Sequence, residues 1–281
     1  MCFLSMSWLK VSLYFSVSIV LTGILVLIVM LIAIALPIIS NTNLEKIISL
    51  SWQPNEGYFG ILPMLGGSFF LAIFALSLAL PLALGLNIWM LKVDKRFLVR
   101  IVAYFIKLMT AIPTVVYGFI AVFLLVPLVR EGAGGTGFCL FSAGIILALL
   151  ILPTITLVFE AGLATSLEKL CLEGVALGFS RLELFYFFVL PKSKKIFIVA
   201  AMIGFGRAIG DTLISLMLSG NSPQFPQNIF ESIRTLTAHI ALISANEMSG
   251  MAYDSLFLSG ILLLIINATV SILVRHIIKL A

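Results

Sequence analysis

The stretch "LEKLCLEGVALGFSRLELFYFFVLPKSKK", Leu167 to Lys195, separates two long apolar segments and carries apolar residues of its own at helical spacing. It is too long for a tight turn, and its composition is not that of a disordered linker. Gly178 interrupts the pattern and Pro191 ends it, so the spacing predicts two short helices with a bend between them. The basic run "PKSKK", Pro191 to Lys195, holds the stretch close to a membrane surface. An amphipathic linker is the plainest reading. Its apolar positions still need a cover, and a partner protein would supply one.

On both sides of this stretch the chain is mostly hydrocarbon. Of 281 residues, 62% are hydrophobic and 10% are charged, and the mean hydropathy is +1.22. A soluble domain carries about 25% charged residues. The chain therefore reads as a polytopic membrane protein with no separate soluble domain. A spanning helix needs about 20 mostly apolar residues. Six segments qualify, near residues 13–38, 66–91, 106–128, 140–160, 196–219 and 255–274. The first apolar run, Val11 to Ile39, is far longer than the core of a signal peptide, about 7–15 residues, and is read as a retained span. The predicted fold class is an all-α polytopic membrane protein of about six transmembrane helices. Residues 1–65 form an N-terminal transmembrane helix and outer loop, and 66–281 form the core, with its cytoplasmic connection at about 162–195.

Charge sets the orientation. With the N-terminus inside, the inner side holds Lys10, Lys92, Lys95, Arg96, Arg100, Lys107, Lys169, Arg181, Lys192, Lys194, Lys195, Arg275 and Lys279. The outer side holds only Lys46, Arg130 and Arg234. This is a strong positive-inside bias, and it places both termini in the cytoplasm. The outer loop at 40–65 carries Trp52, Tyr58 and Phe59, as expected of interfacial aromatics. The outer loop at 220–254 places Ile229, Phe230, Ile233, Leu236, Ile240 and Ile243 at helical spacing after Pro223 and Pro226. That predicts an amphipathic helix, either lying on the membrane or over a cavity, or packed against the ends of the spans.

Several chemistries lack their residues. The net charge of +5 is spread over short connections, which fits topology rather than nucleic acid. Cys2, Cys139 and Cys171 have no metal-like spacing, and His239 and His276 stand alone. The glycine-rich "EGAGGTG", Glu131 to Gly137, lacks the Lys-Ser/Thr ending of a phosphate loop and reads as a flexible turn. No cluster of Asp, Glu or His marks a membrane enzyme, no cofactor is expected on the chain, and it is read as a non-enzyme.

The charges inside the spans remain. "GFGRAIGDT", Gly204 to Thr212, places Arg207 near the middle of the fifth predicted span and Asp211 one turn further on the same face. A central Arg costs roughly 2.5–3.5 kcal/mol on insertion scales. The reading is a face that lines a polar cavity where a permeating ion meets it. The alternative is a packing motif with an Arg–Asp clasp, since Gly206 and Gly210 make a small-xxx-small ridge beside that face. Pro81, Pro113 and Pro153 fall inside three other spans and predict bent helices around the charged one. Tyr117 follows Pro113, and Glu160 closes span four, as part of the pathway or as an interfacial group.

The connection and the charged span resemble binding-protein-dependent ABC importer permeases. In that family the connection is a coupling loop with a Glu-Ala-Ala opening, a Gly a few residues later, and a Leu-Pro about a dozen residues after the Gly. Gly178 and Leu190-Pro191 match in spacing. The family's Glu falls on Leu172, Glu173 arrives one place late, and its alanines become Glu173 and Gly174. Gly174 should weaken a helix there by about 1 kcal/mol relative to Ala. "SWQPNEGYFGILPMLGGSF" (51–69), "AIPTVVYG" (111–118), "ILPTI" (151–155) and "GRAIGDTLISLMLSGNSPQFP" (206–226) are similar to the phosphate-importer permease subunits, PstC-type first and PstA-type next. Those subunits usually carry Glu at Asp211.

The resemblance implies a type I importer (MetI-like) permease fold in a prokaryotic plasma (inner) membrane. It implies as partners a second homologous permease subunit, two ATP-binding subunits and an extracytoplasmic phosphate-binding protein docked on the outer loops. ATP is then used by the partner subunits. Arg207, Asp211, Thr212, Tyr117 and Glu160 would serve the substrate pathway, and Glu173, Gly174, Gly178, Leu190 and Pro191 the coupling loop. A permease for sulfate, molybdate or phosphonate, and an ion-coupled transporter or channel, are the alternatives.

Overall fold

The computed structural model describes residues 2–40, 47–92 and 96–279. Its helices are α1 (Cys2–Ser40), α2 (Leu62–Lys92), α3 (Arg96–Ala111), α4 (Thr114–Ala133), α5 (Leu140–Ala176), α6 (Arg181–Leu184), α7 (Leu190–Lys192), α8 (Lys194–Ile209), α9 (Leu213–Leu218), α10 (Leu236–Asn246) and α11 (Met251–Lys279). Phe185–Val189 forms one π-helical turn between α6 and α7. Two short strands, β1 (Trp52–Gln53) and β2 (Tyr58–Phe59), pair antiparallel as a hairpin before α2.

Among the described residues, α1, α2, α4, α5 and α11 are long and apolar enough to cross a membrane. The fifth predicted span is not continuous. It divides into α8 and α9, with Gly210, Asp211 and Thr212 between them. The third predicted span also divides. Pro113 stands outside helical geometry, with ψ 138, directly before α4. The residue before a proline is driven out of the helical region, so α3 ends and α4 begins at the Ile112–Pro113 step. Pro81 and Pro153 stay inside α2 and α5.

The core forms around α5. Ala72, Ala75, Ala79 and Ala83 put a small-residue stripe on α2, and all are fully buried. Opposite them α5 buries Ala143, Leu147, Ile151, Ile155 and Phe159. Small side chains let two backbones approach where no water drives them together. Gly144 extends the fit, because a Cβ there would overlap the ring of Phe74. α8 joins through Gly204, where a Cβ would lie 2.7 Å from Ile155 Cδ1 and 3.1 Å from Leu76 Cδ1. The expected ridge of Gly206 and Gly210 does less. A Cβ on Gly206 would make only ordinary contact with Val270 at 3.5 Å, and Gly210 faces its own helix. Gly204 sits deeper because it points at the core helices, which spacing within one helix does not reveal.

The outer layer also differs from expectation. Residues 229–235 are not helical, and α10 starts at Leu236 behind Thr235, whose Oγ1 accepts from Ala238 N at 3.2 Å. The reason is that the backbone of 229–233 serves other elements. Leu140 N donates to Glu231 O at 3.0 Å and Phe141 N to Ile229 O at 2.8 Å, which satisfies the start of α5. Ile233 N donates to Ser219 O at 2.8 Å, beyond α9. α10 then packs inward, with Leu236, Thr237, Ala238, His239 and Ile243 buried. The turn expected over Glu131 to Gly137 forms only in its second part: α4 runs on to Ala133, and Gly134, Gly135 and Gly137 take positive φ.

His239 is fully buried in this layer, edge-on to Trp52 at 4.6 Å. Ser255 Oγ donates to Ala252 O at 2.6 Å, so the 3.0 Å contact from His239 Nε2 assigns the hydrogen to Nε2. Nδ1 is left buried without a partner among the described residues. Burial, aided by the Arg234 charge, pushes this imidazole from its ordinary 6.5 down to about 3. The unfolded chain thus binds an extra proton between those two values. The native outer layer is at full stability above pH 6.5 and loses stability as pH falls from there toward 3. Thermal melts of the purified protein at about pH 7, 6 and 5 should show a falling midpoint, with a shallower slope in His239→Gln. Equal slopes would mean that His239 is not held neutral.

Candidate functional site

The break between α8 and α9 creates the site. α8 closes on Gly210, whose N–H reaches Gly206 O at 3.2 Å, and Asp211 N reaches Ala208 O at 3.3 Å. Asp211 then turns forward and its Oδ2 accepts from Ile214 N at 2.8 Å, which caps the start of α9. The carbonyl of Asp211 accepts from Thr237 Oγ1 of α10 at 2.9 Å and from Ser215 Oγ at 3.1 Å. Irregular backbone at membrane depth persists only where protein satisfies it, and α10 does this here.

The two charges do not clasp each other. Asp211 lies one turn beyond Arg207, just past the end of α8, and among the described residues no ion pair joins them. The Arg207 guanidinium is exposed and donates from Nη1 to Thr154 Oγ1 on α5, at 2.8 Å. Four of its five N–H groups stay uncommitted among the described residues. Its charge acts through space on Asp211 and on Tyr117 of α4. The structure thus brings Arg207, Asp211 and Tyr117 into one neighbourhood and adds Thr154, which the sequence reading missed. A threonine after a proline in a span looks like any other helical threonine, and its partner is 53 positions away.

The other predicted residues are placed less centrally. Tyr117 OH donates to Met109 O at 3.0 Å, tying α4 to the end of α3 across Pro113. Thr212 is half-buried beside Asp211, and its hydroxyl has no partner among the described residues. Glu160 is exposed on α5. It lies about 9 Å along the helix axis from Thr154 and does not join Arg207.

The connection at 162–195 is built differently from two short helices with a bend. Its first half is the unbroken end of α5, which runs to Ala176. Leu177 N and Phe179 N both return to Gly174 O at 3.1 Å, and Gly178 takes a φ of 85°, the left-handed turn that favours glycine. Ser180 and Glu183 then form a reciprocal cap. Ser180 N donates to Glu183 Oε2 at 2.8 Å, and Glu183 N donates to Ser180 Oγ at 3.3 Å. The Ser180 backbone and hydroxyl hold the Glu183 carboxyl below its usual range. Pro191 does not end the segment; it sits within α7, and α8 follows after Ser193. Leu190 N reaches back five residues to Phe185 O.

Gly174 is not a weak point. It is buried, and a Cβ there would overlap Leu184 Cδ2 of α6. The glycine lets α6 fold back on the end of α5. The turn presents Tyr186 and Phe187 outward, the latter 69% exposed. The Glu173 side chain lies outside the described residues.

The site is thus a cation, unpaired among the described residues, at the break of one helix in a helical membrane core, with a connection that presents aromatics. Residues 80–280 match the family of binding-protein-dependent transport system inner membrane components, and the chain belongs to it. It is a multi-pass protein of the prokaryotic plasma membrane. It is 32% identical over 192 residues to the probable ABC transporter permease protein YqgH of Bacillus subtilis, covering 67% of this chain and 62% of that protein. It is 28% identical over 208 residues to the phosphate transport system permease protein PstC of Pasteurella multocida, covering 67% of this chain and 65% of that one. The chain thus spans just under two thirds of the length of both relatives. The fold is like that of the MetNI methionine ABC transporter in inward-facing conformations, with a TM-score of 0.55 over 78% of this chain and 94% of that one, at 19% identity.

Proposed function

We propose that this chain is a transmembrane permease subunit of an ATP-driven importer of inorganic phosphate. The observation that carries the reading is the exposed Arg207 guanidinium, unpaired with any carboxylate among the described residues, at the α8–α9 break. A permanently charged, planar fork suits a tetrahedral oxyanion. The PstC name of one relative supports phosphate as that anion. The subunit would pair with a second homologous permease, two ATP-binding subunits and an extracytoplasmic phosphate-binding protein. Both termini would face the cytoplasm. No cofactor would be bound on this chain, and ATP would be hydrolysed on the partners.

In this reading the outward aromatics at Tyr186 and Phe187 are covered by an ATP-binding subunit. Movement there would pass through the Gly174–Leu184 contact into α5, and through α7 into α8. Arg207 and Thr154 lie on those two helices, so the anion site sits where the relative motion is felt. Asp211 would hold the break in place, and Tyr117 and Thr212 would border the path.

The test is ATP-driven uptake of labelled phosphate by the reconstituted complex, with sulfate and phosphonate as competitors. Uptake that requires ATP and resists excess sulfate is expected. Uptake without ATP, or a preference for sulfate, would refute the reading.

A further inference from the structure

Many hydroxyl groups along the helices of this chain share one habit, although Ser68 accepts from Leu236 N and Ser259 Oγ has no partner among the described residues. Ser77, Thr110, Thr156, Thr269 and Ser271 each donate to a carbonyl three or four residues earlier in their own helix. That is how a hydroxyl satisfies itself in a helix when water is scarce. Thr154 departs from the habit. Its Oγ1 accepts from Arg207 Nη1 at 2.8 Å, and among the described residues its own hydrogen has no acceptor. Thr156, two positions on, returns its hydroxyl to Leu152 O at 2.8 Å. The apolar setting of α5 therefore does not keep Thr154 from doing the same with Leu150 O.

We propose that Thr154 is an anion ligand of the permease, donating its O–H to the oxyanion that Arg207 holds. This rests on the reading of Arg207 as the anion's fork. A hydroxyl oxygen that accepts from a guanidinium becomes a better donor through its own hydrogen. Adjacent oxygens of one tetrahedral oxyanion can take that O–H and a free N–H of Arg207 together. Thr154 has two effects: it restrains the guanidinium on the α5 side, and it supplies a donor of a second kind. Thr154 and Arg207 sit on α5 and α8, so a shared anion would bridge the two helices.

The experiment compares wild type, Thr154→Val, Thr154→Ser and Thr156→Val in the complete reconstituted complex. Labelled phosphate uptake and ATP hydrolysis are measured in parallel, at saturating binding protein. Losing a hydrogen bond to a charged group corresponds to about a tenfold effect or more. Thr154→Val is expected to move about tenfold less phosphate per ATP hydrolysed, with ATP hydrolysis within about twofold of wild type. Thr154→Ser keeps the hydroxyl and should stay within about twofold. Thr156→Val removes a hydroxyl that serves only its own helix and should match wild type. The assignment is overturned if Thr154→Val couples normally, or if Thr154→Ser fails as Val does. If Thr154→Val does not assemble, Thr154→Ser against Thr154→Ala decides the same question. A wild-type complex that moves sulfate instead of phosphate would refute the substrate reading alone, and the same variants assayed with sulfate would then decide Thr154.

Discussion

Arg207→Ala is expected to lower ATP-driven phosphate uptake by about a hundredfold or more while leaving assembly and ATP hydrolysis in place. The size follows from removing a charge and several charge-assisted hydrogen bonds at once, each worth about 1.5–3 kcal/mol where water is scarce. The sparing of the fold follows from the local bonding. Arg207 forms no ion pair among the described residues, so its loss strands no carboxylate there. Asp211 keeps its bond from Ile214 N, and Thr154 is free to return to its own helix. Arg207→Lys should fall between wild type and Ala, since it keeps the charge but loses the fork. Normal uptake by the Ala variant, in a complex that assembles and hydrolyses ATP, would remove Arg207 from the pathway.

Gly174→Leu is expected to lower uptake about tenfold or more through the connection rather than the anion site. Leucine is the better helix former by close to 1 kcal/mol, so propensity alone would strengthen the end of α5. The opposite outcome is expected because Leu184 already occupies the space a side chain would need, and overpacking costs about 1–3 kcal/mol. α6 would be pushed off α5, and the outward face of Phe187 would move with it. Purified complexes should retain less ATP-binding subunit, or hydrolyse ATP without moving phosphate. Leu184→Ala in the same chain opens the space and should restore part of both. A Gly174→Leu variant with normal coupling would show that the contact between α5 and α6 transmits nothing.

The membrane class, the all-helical fold and most of the spans were legible in the sequence. Uninterrupted apolar length is a local property, and burial in lipid asks little more of a helix. Of the turn expected over Glu131 to Gly137 the part from Gly134 forms, as does the turn at Gly178, because positive φ is a demand of single residues. Where expectation and structure part, backbone groups are used by distant parts of the chain. The helix expected from Ile229 does not form because Ile229 O and Glu231 O cap α5. The cost expected at Gly174 is offset by Leu184, which fills the space a side chain would need, while the capping pair of Ser180 and Glu183 follows from their spacing alone.

By itself the sequence determined that this chain is a helical membrane protein with a misplaced charge pair and a patterned connection. Those conclusions rest on composition and on period, which need no partner. Only the tertiary structure decided what the charges do. The bond from Ile214 N turns Asp211 into a cap, Thr237 closes the broken backbone from another helix, and Thr154 takes the guanidinium. Hydrogen bonds between segments far apart in the chain are fixed by packing, and packing is where Arg207 ceases to be half of a pair and becomes an available cation.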